Sequence, residues 1–392
     1  MLVRKAGIND FRDALKLVKI TGCDVYARRL LAKKAVFIPV AVENIDNRAA
    51  NILKQEALAC GADAAVSENV SRFKKGFSNA LIFATAKQLE TLAAKLALQP
   101  FGLKEAARGI ASIYEEAVSE KRVFRYKKAF LDLCTPAIMG IINVSPDSFS
   151  GDGLSDPAAA AAKAEEFENY GAKIIDLGAE SSRPGAKPAG AKEEIKRLIP
   201  ALKRIKKAVK IPVSVDTYRY ETAQAALSEG ADIINDIYAL RSGKEKLAEL
   251  IADTKAGVIL MHMKGTPENM QKKPSYKNCV SEVFEFLRER KKFALSCGIE
   301  EDFISVDSGI GFGKTAEHNF ELVKNMRAFS LLGAVTAGVS RKSFVKAAAG
   351  EEKYAFVAAN FAAASNGADI VRVHDVKETA AALKFLVGLR AI

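Results

Sequence analysis

The chain has 392 residues, of which 49% are hydrophobic, 27% charged and 8% aromatic. This composition is typical of an ordinary globular protein with a large packed core, and the length predicts one large and one small domain. The sequence has no apolar run near the roughly 18 residues of a membrane-spanning helix, and its start lacks the apolar region of a signal peptide. We therefore expect neither an integral membrane protein nor a secreted one.

The cysteines and the charge distribution indicate a compartment and exclude some partners. The five cysteines are odd in number, widely spaced and free of Cys-x-x-Cys pairs, which argues against a disulfide framework and a thiolate zinc site. We expect a cytoplasmic protein. Residues 1–130 hold 23 basic and 13 acidic residues, but the basic ones are scattered and not interleaved with aromatics. They predict a solvated basic face, with neither nucleic acid nor a membrane as partner.

Residues 1–130 are predicted to form a small α/β domain. Helical and strand-like patterns alternate in it, in the order Phe11–Ile20 (helix), Ala35–Val42 (strand), Arg48–Cys60 (helix), Asn79–Ala84 (strand, followed by a helix to Leu98) and Leu103–Glu120 (helix). The basic run Lys121–Lys128 is interpreted as a solvated linker. The sequence indicates no mechanistic role for this domain.

From Ala137 the pattern changes to short apolar runs, each followed by a loop and a helical stretch. The eight runs are Ile138–Ile142, Lys173–Leu177, Val213–Val215, Asp232–Ile234, Gly257–Leu260, Phe303–Val306, Ala334–Ala337 and Asp369–Val371. Strands that are apolar on both faces and alternate with helices are typical of parallel sheets, and eight such units match a (β/α)8 TIM barrel. We predict this barrel over residues 131–392, with an open doubly wound sheet as the alternative.

Polar side chains follow these runs where a barrel of this kind carries its catalytic groups, at the carboxyl ends of the strands. They are Asn143, Asp176, Glu180, Asp216, Asn235, Asp236, His262, Asp307, the Ser340–Ser343 run, Arg372, His374 and Asp375. His318 is different, because it follows a helix-capping Thr315 and is interpreted as structural. The pattern predicts an active site at the mouth of the barrel.

The residue types suggest what the mouth binds. Asp216, Asn235 and Asp307 provide acceptors for a planar, donor-rich heterocycle such as an aminopyrimidinone, or alternatively oxygen ligands for a divalent metal. Lys342 supplies positive charge, unless it is only a solvated loop lysine. Arg372 and His374 alternate along a strand end and therefore point to the same side, which suits phosphate oxygens better than a structural salt bridge.

Three loops have compositions that bear on phosphate binding or on closure over a ligand. Two of them, Asn143–Gly153 and Ser181–Gly185, are rich in Pro, Gly and Ser and suggest mobile loops that close over a reacting centre. The segment Gly309–Thr315 is glycine-rich, but it has the spacing of neither a P-loop nor a Rossmann fingerprint, so we reject both.

Together these segments resemble one known family, dihydropteroate synthase, over roughly Ala137 to the C-terminus. Eight motifs occur in the family's order, namely Ile138–Ser150, Asp176–Gly185, Ser214–Thr217, Ile234–Asp236, Met261–Pro267, Asp307–Lys314, Ser340–Ser343 and Arg372–Asp375. The sequence departs from the family pattern at Ala179, Ser182, Ser308 and Gly151–Asp152, and none of these departures removes a proposed functional side chain.

The resemblance implies the condensation of 6-hydroxymethyl-7,8-dihydropterin diphosphate with para-aminobenzoate, in a homodimer. Because this reaction displaces diphosphate from a carbon attached to an electron-rich ring, we expect a dissociative path through a pterin cation. The resemblance also implies pterin binding by Asp216, Asn235, Asp307 and Lys342, diphosphate binding by Asn143, Arg372 and His374, and a para-aminobenzoate pocket of Phe149, Pro184 and Ser343. Asn143 would also bind magnesium. Asp147, Ser182 and Arg183 complete the implied catalytic set, Asp147 and Arg183 as groups that order the two mobile loops. The alternatives are a methyltetrahydrofolate:corrinoid methyltransferase and a non-catalytic pterin-binding protein.

Overall fold

The computed structural model describes residues 1–4, 6–119, 122–144, 156–180, 190–242, 244–350 and 352–391. The chain divides into two compact units, Met1–Glu120 and Lys121–Ile392. None of the helices in the described ranges combines the length and apolarity that crossing a bilayer requires.

The N-terminal unit is a three-stranded antiparallel sheet with helices, in the strand order β1-β3-β2. Its elements are α1 (Phe11–Ile20), α2 (Val25–Ala35), β1 (Phe37–Asp46), α3 (Asn47–Ala59), β2 (Asp63–Val66), α4 (Glu68–Ser71), β3 (Phe77–Thr85), α5 (Ala86–Leu96) and α6 (Leu103–Val118). The predicted helices and strands of this unit are present, whereas α2, α4 and the short strand β2 were not predicted.

Local sequence explains where these helices begin. Asp10, Asp24 and Asp46 each accept a backbone hydrogen bond at the start of α1, α2 and α3, and Thr85 forms a capping box with Gln88 at the start of α5. The apolar faces of α3, α5 and α6 pack on one face of the sheet and form a core that belongs to this unit.

The second unit is a closed barrel of eight parallel strands, preceded by a hairpin. In chain order it contains β4 (Val123–Tyr126), β5 (Ala129–Asp132), β6 (Ala137–Asn143), α7 (Pro157–Asn169), β7 (Ile174–Gly178), α8 (Ala191–Ala208), β8 (Val213–Asp216), α9 (Tyr220–Ser228), β9 (Ile233–Asp236), α10 (Lys244–Thr254), β10 (Gly257–Met261), α11 (Cys279–Ser296), β11 (Ile304–Asp307), α12 (Ala316–Lys324), β12 (Ala334–Ala337), α13 (Ser343–Ala349), α14 (Lys353–Ser365), β13 (Ile370–Val373) and α15 (Val376–Ala391). Short 3-10 turns at Glu301–Phe303 and Met326–Leu332 lead into β11 and β12.

The barrel prediction is confirmed. All eight apolar runs are strands, and β13 pairs with β6 in parallel to close the sheet, which excludes the open doubly wound alternative. The outward faces of the strands pack under the helices in one continuous apolar core.

The interpretation of the basic run 121–128 as a solvated linker is wrong. Residues 123–132 form the β4-β5 hairpin, and the ring of Phe124 is fully buried with Met139, Ile174, Ile259 and other inward-facing residues at the amino ends of the barrel strands. Gly257 makes room for the ring, since a Cβ atom there would lie 2.8 Å from it. The hairpin therefore closes the bottom of the barrel.

The basic residues of the hairpin have specific partners. Arg122 Nε lies 2.9 Å from a carboxylate oxygen of Asp369, and Lys127 Nζ lies 3.2 Å from one of Asp232. These two aspartates directly precede β13 and β9, and each also accepts a backbone N–H from a neighbouring strand. Because the hairpin belongs to the barrel unit, the structural division falls at 120/121, about ten residues before the predicted boundary.

We predict that Phe124→Ala lowers the free energy of unfolding by about 3–5 kcal/mol, because it leaves a cavity under the inner layer of the barrel. Phe130→Ala on the same hairpin is the control, since Phe130 is 62% exposed and its loss costs less than about 1 kcal/mol. Urea denaturation measures the free energy of unfolding of the two variants. Equal losses would contradict the proposal that Phe124 closes the bottom of the barrel.

Candidate active site

The inside of the barrel changes from apolar to ionisable along its axis. Above the apolar bottom lies a polar level of inward-facing residues, with a 2.8 Å hydrogen bond between the hydroxyls of Ser305 and Thr336. Its members are the buried Asp176, Ser214, Ser305 and Thr336 and the partly buried Arg372. One level nearer the mouth, the inward-facing side chains include Asn143, Asp216, Asn235 and Asp307, which lie at the carboxyl ends of β6, β8, β9 and β11. The period of two in each strand brings these side chains to the mouth.

Strand register places three predicted site residues in one row. Asn143 pairs with Gly178, Gly178 with Asp216, and Asp216 with Asn235, across β6 to β9. A Cβ atom at Gly178 would lie 3.1 Å from the side-chain oxygen of Asn143 and 3.6 Å from Cβ of Asp216. The glycine thus leaves the space between Asn143 and Asp216 open for a ligand.

The guanidinium of Arg372 joins the two levels. Its Nε donates to Asp176 at 2.5 Å and its Nη2 to Asp216 at 2.8 Å. Asp176 is fully buried and also accepts from Asn235 Nδ2 at 3.2 Å. The salt-bridge role, which the sequence analysis ranked below phosphate binding, is therefore the arrangement that Arg372 adopts in this structure.

Two carboxylates share this one cation, and the electrostatics of the mouth follow from that. Burial raises the pKa of Asp216 to about 7, and the neighbouring charge of Asp176 acts in the same direction, against the opposing effect of Arg372. Burial also raises the pKa of Asp307, although that carboxylate accepts the backbone N–H of Gly309 at 2.7 Å. The site favours a ligand that brings hydrogen-bond donors to these carboxylates.

Lys342, which precedes α13, lies close to the segment that follows β11. Its ammonium nitrogen is 4.3 Å from the ring centroid of Phe312, and it would be 3.6 Å from a Cβ atom at Gly311. The side chain of Lys342 therefore passes directly over residues 311 and 312, and it is not a fully solvated loop lysine.

His374, the other residue predicted to bind phosphate beside Arg372, and its neighbours lie next to β13 and α13. Both the backbone N–H and the ring Nδ1 of His374 lie near the hydroxyl of Ser340, at 3.4 and 3.2 Å. Arg341 forms an ion pair with Asp375 at 3.1 Å, and Ser343 is exposed at the first position of α13. His318 caps α12 with Thr315, as predicted.

An ion-pair network next to the site was not predicted. Arg219 Nη1 contacts Glu180 at 2.6 Å and Glu194 at 2.7 Å, and Glu194 also accepts from Thr222. Glu180 directly precedes residues 181–189, and Glu194 lies in the first turn of the helix that follows them. The sequence contains no signal for this pairing beyond the acidic Glu180 in the second motif, because the partners come from three separate elements.

Five predicted residues lie outside the described residues: Asp147, Phe149, Ser182, Arg183 and Pro184. Across the described part of the chain, no group of three or more His, Cys, Asp or Glu side chains is arranged to hold a metal ion. The described mouth thus combines buried carboxylates, an amide and cationic groups, a set that suits a planar heterocycle with an anionic substituent.

The comparisons with known proteins agree with this chemistry. The model of the family described as pterin binding enzyme matches residues 139–374. The barrel and its mouth are accordingly those of a pterin-binding enzyme. A dihydropteroate synthase of Haemophilus influenzae is 38% identical over 260 residues, which are 65% of this chain and 94% of the relative. The chain belongs to the dihydropteroate synthase family.

Two further proteins extend the comparison. The structure of the Xanthomonas albilineans dihydropteroate synthase with 4-aminobenzoic acid matches with a TM-score of 0.64 and 36% identity, covering 69% of this chain and 99% of that one. A probable bifunctional folylpolyglutamate synthase/dihydropteroate synthase of Halobacterium salinarum is 35% identical over 389 residues, 98% of this chain. The chain spans 46% of that relative, and the match includes the N-terminal unit.

Proposed function

We propose that the protein condenses 6-hydroxymethyl-7,8-dihydropterin diphosphate with para-aminobenzoate to give 7,8-dihydropteroate and diphosphate. The observation that carries this proposal is the group of carboxylates in and below the mouth, in a family whose members bind pterins. Asp176 and Asp216 share the guanidinium of Arg372, and the buried Asp307 accepts the backbone N–H of Gly309. The substrates are small molecules, and the chemistry resides in the barrel unit.

Asp216, Asn235, Asp307 and Lys342 are the proposed pterin-binding residues. The aminopyrimidinone edge of a pterin presents several N–H donors, and Asp216 and Asn235 are paired neighbours in one row of the barrel. Because Asp176 and Asp216 share the single guanidinium of Arg372, N–H donors from the ligand would give the Asp216 carboxylate further hydrogen bonds. Lys342 then faces the ring or its substituent from the other side of the mouth.

Asn143, Arg372 and His374 are proposed to bind the diphosphate. All three are at the carboxyl ends of β6 and β13, which are neighbours in the barrel. The side-chain oxygen of Asn143 borders the opening above Gly178, which fits one protein ligand of a magnesium ion that is otherwise held by phosphate oxygens and water. When bound, magnesium neutralises charge on the departing diphosphate.

The proposed path is dissociative. The C–O bond to diphosphate breaks first, and its electron pair leaves with the diphosphate, so positive charge develops on the pterin methylene and ring. Asp216 and Asp307 stabilise that charge, and Arg372 and His374 stabilise the leaving group. The amine of para-aminobenzoate forms the new C–N bond and loses one proton.

The second substrate is proposed to bind next to α13, with Ser343 on the described side of its pocket. The other proposed residues, Phe149 and Pro184, and the residues proposed to order the loops or assist catalysis, Asp147, Ser182 and Arg183, remain proposals from the family motifs.

Lys342→Ala is expected to lower kcat/KM for the pterin diphosphate by roughly 100-fold or more, because it removes a cation that acts on the reacting ligand. The assay follows dihydropteroate and diphosphate with all three components present and with each omitted. Lys346→Ala is the matched control, because Lys346 is an exposed lysine of α13, the helix that follows Lys342. Turnover that does not require para-aminobenzoate, or full activity of Lys342→Ala, would refute the proposal.

Pterin affinity is expected to depend on pH through Asp216. Its pKa is raised to about 7, so the carboxylate that accepts the pterin N–H groups is lost as the pH falls below that value. The Kd for 6-hydroxymethyl-7,8-dihydropterin should increase roughly tenfold between about pH 7.5 and 6. Calorimetric titration measures it. Asn235→Ala should bind more weakly with the same pH dependence, while a flat profile for the wild type would contradict this role of Asp216.

We also propose a homodimer and a cytoplasmic location. In the described part of the chain the cysteines form no disulfide with one another, which suits a reducing compartment. Large apolar side chains are exposed on three helices of the barrel unit, where α14 packs against both α12 and α15. They are Phe320, Tyr354, Phe385 and Leu389, each at least 49% exposed.

Phe385→Glu is therefore expected to convert a dimer into a monomer, because it places a charge in a buried apolar contact. Light scattering after size-exclusion chromatography measures the mass. Phe73→Glu is the control, since Phe73 is an exposed phenylalanine of the N-terminal unit. A monomeric wild type, or a dimer that persists in Phe385→Glu, would refute the proposed contact.

A further inference from the structure

The glycine-rich segment Gly309–Thr315 has no assigned role in the reaction beyond its proximity to Asp307. Gly309, Gly311 and Gly313 all have positive φ values between 66° and 82°. Cβ atoms at Gly309 and Gly313 would lie 1.8 Å from the carbonyl oxygen of His262 and 2.4 Å from that of Lys264. The glycines therefore let this segment lie directly against residues 262–264, beyond the end of β10.

Side chains hold the three central carbonyl groups of the segment. Gln271 Nε2 donates to the Gly311 oxygen at 2.6 Å, Lys314 Nζ to the Phe312 oxygen at 3.0 Å, and the Tyr276 hydroxyl to the Gly313 oxygen at 2.8 Å. Each of the three contacts holds the carbonyl group of one residue in turn. The backbone of Phe312 is therefore held in place, and with it the position of the Phe312 ring.

Among these donors Lys314 is the buried one. It is 3% exposed, and its ammonium nitrogen lies 2.8 Å from Nδ1 of His262. Burial lowers the pKa of His262 to about 2, so the ring is neutral and its Nδ1 accepts from the lysine. A histidine ring that is neutral and a carbonyl group form no ion pair with the Lys314 ammonium, so burying this charge costs free energy. A residue that only filled space would not need that charge.

The segment held by Lys314 carries two groups of the pterin site. Asp307 is anchored through the N–H of Gly309, and the Lys342 ammonium lies 4.3 Å from the centroid of the Phe312 ring. Lys342 also crosses Gly311, where a Cβ atom would lie 3.1 Å from its Cδ. The path from Lys314 to Lys342 thus consists of one hydrogen bond, one residue and one cation–π contact.

We propose that Lys314 is a positioning residue for the pterin site, which fixes the Phe312 peptide so that the ring holds the Lys342 ammonium in place. This inference rests on the proposed function for the identity of the ligand. Lys314 itself does not touch the substrate, and its effect on binding passes through Lys342.

A double-mutant cycle tests this path. The probe is 6-hydroxymethyl-7,8-dihydropterin, whose Kd is measured by calorimetry for the wild type, Lys314→Met, Lys342→Ala and the double variant. Lys314→Met should raise Kd about tenfold in the wild-type background and less than about twofold in the Lys342→Ala background. Lys324→Met, the same change at an exposed lysine of α12, is the control.

The outcomes separate positioning from support of the fold. A folded Lys314→Met with the wild-type Kd, or equal effects in both backgrounds, would overturn the proposal. If Lys314→Met does not fold, Lys314→Leu, which also removes the N–H donor to the Phe312 carbonyl, takes its place in the same cycle with the same requirement. If the wild type binds the pterin but forms no dihydropteroate, the proposed function is refuted, and the mutant cycle still tests the role of Lys314. If the wild type binds no pterin, the proposed function and the role of Lys314 are both overturned.

Discussion

The guanidinium of Arg372 between the carboxylates of Asp176 and Asp216 is the interaction on which the mouth of the barrel depends. Burying a charge is unfavourable unless it is paired, and here one cation pairs with two anions at 2.5 and 2.8 Å. Burial and the charge of Asp176 outweigh the effect of Arg372, so the pKa of Asp216 is raised to about 7. A ligand that brings N–H donors adds partners for these two carboxylates, so their sharing of one guanidinium favours binding of a donor-rich ring.

The two ends of the barrel differ in chemistry, because the bottom is closed and apolar and the mouth is open and ionisable. At the bottom, Phe124 and the hairpin that carries it exclude water from an apolar level, and Arg122 and Lys127 bind aspartates at the strand beginnings. At the mouth, short side chains and Gly178 leave space, and ionisable groups point inward. Stability is therefore concentrated below the level of Asp176 and binding above it, which is the usual division in barrels of this kind.

Much of this could be predicted from the sequence, for definable physical reasons. Strands buried on both faces give continuous apolar runs, so the eight barrel strands and the polar residues at their ends, such as Asp216 and Asn235, are visible in the sequence. The β4-β5 hairpin was missed because its two strands are only four residues long and the basic residues before, in and after β4 resemble a charged linker. The Arg372–Asp176 pair joins residues 196 positions apart, and only barrel closure brings them together. The para-aminobenzoate residues Phe149 and Pro184 stay predictions.

The charges of the mouth also explain why a buried lysine can be tolerated in the glycine-rich segment. Lys314 hydrogen-bonds only neutral groups, and burial lowers its pKa to about 7, but Asp307 opposes that shift. Lys314, Lys342 and Arg372 together match the three carboxylates Asp176, Asp216 and Asp307 in number. The charge of Asp307 therefore offsets part of the cost of burying the Lys314 ammonium, so the glycine-rich segment can keep a buried cation because it lies beside a carboxylate of the pterin site.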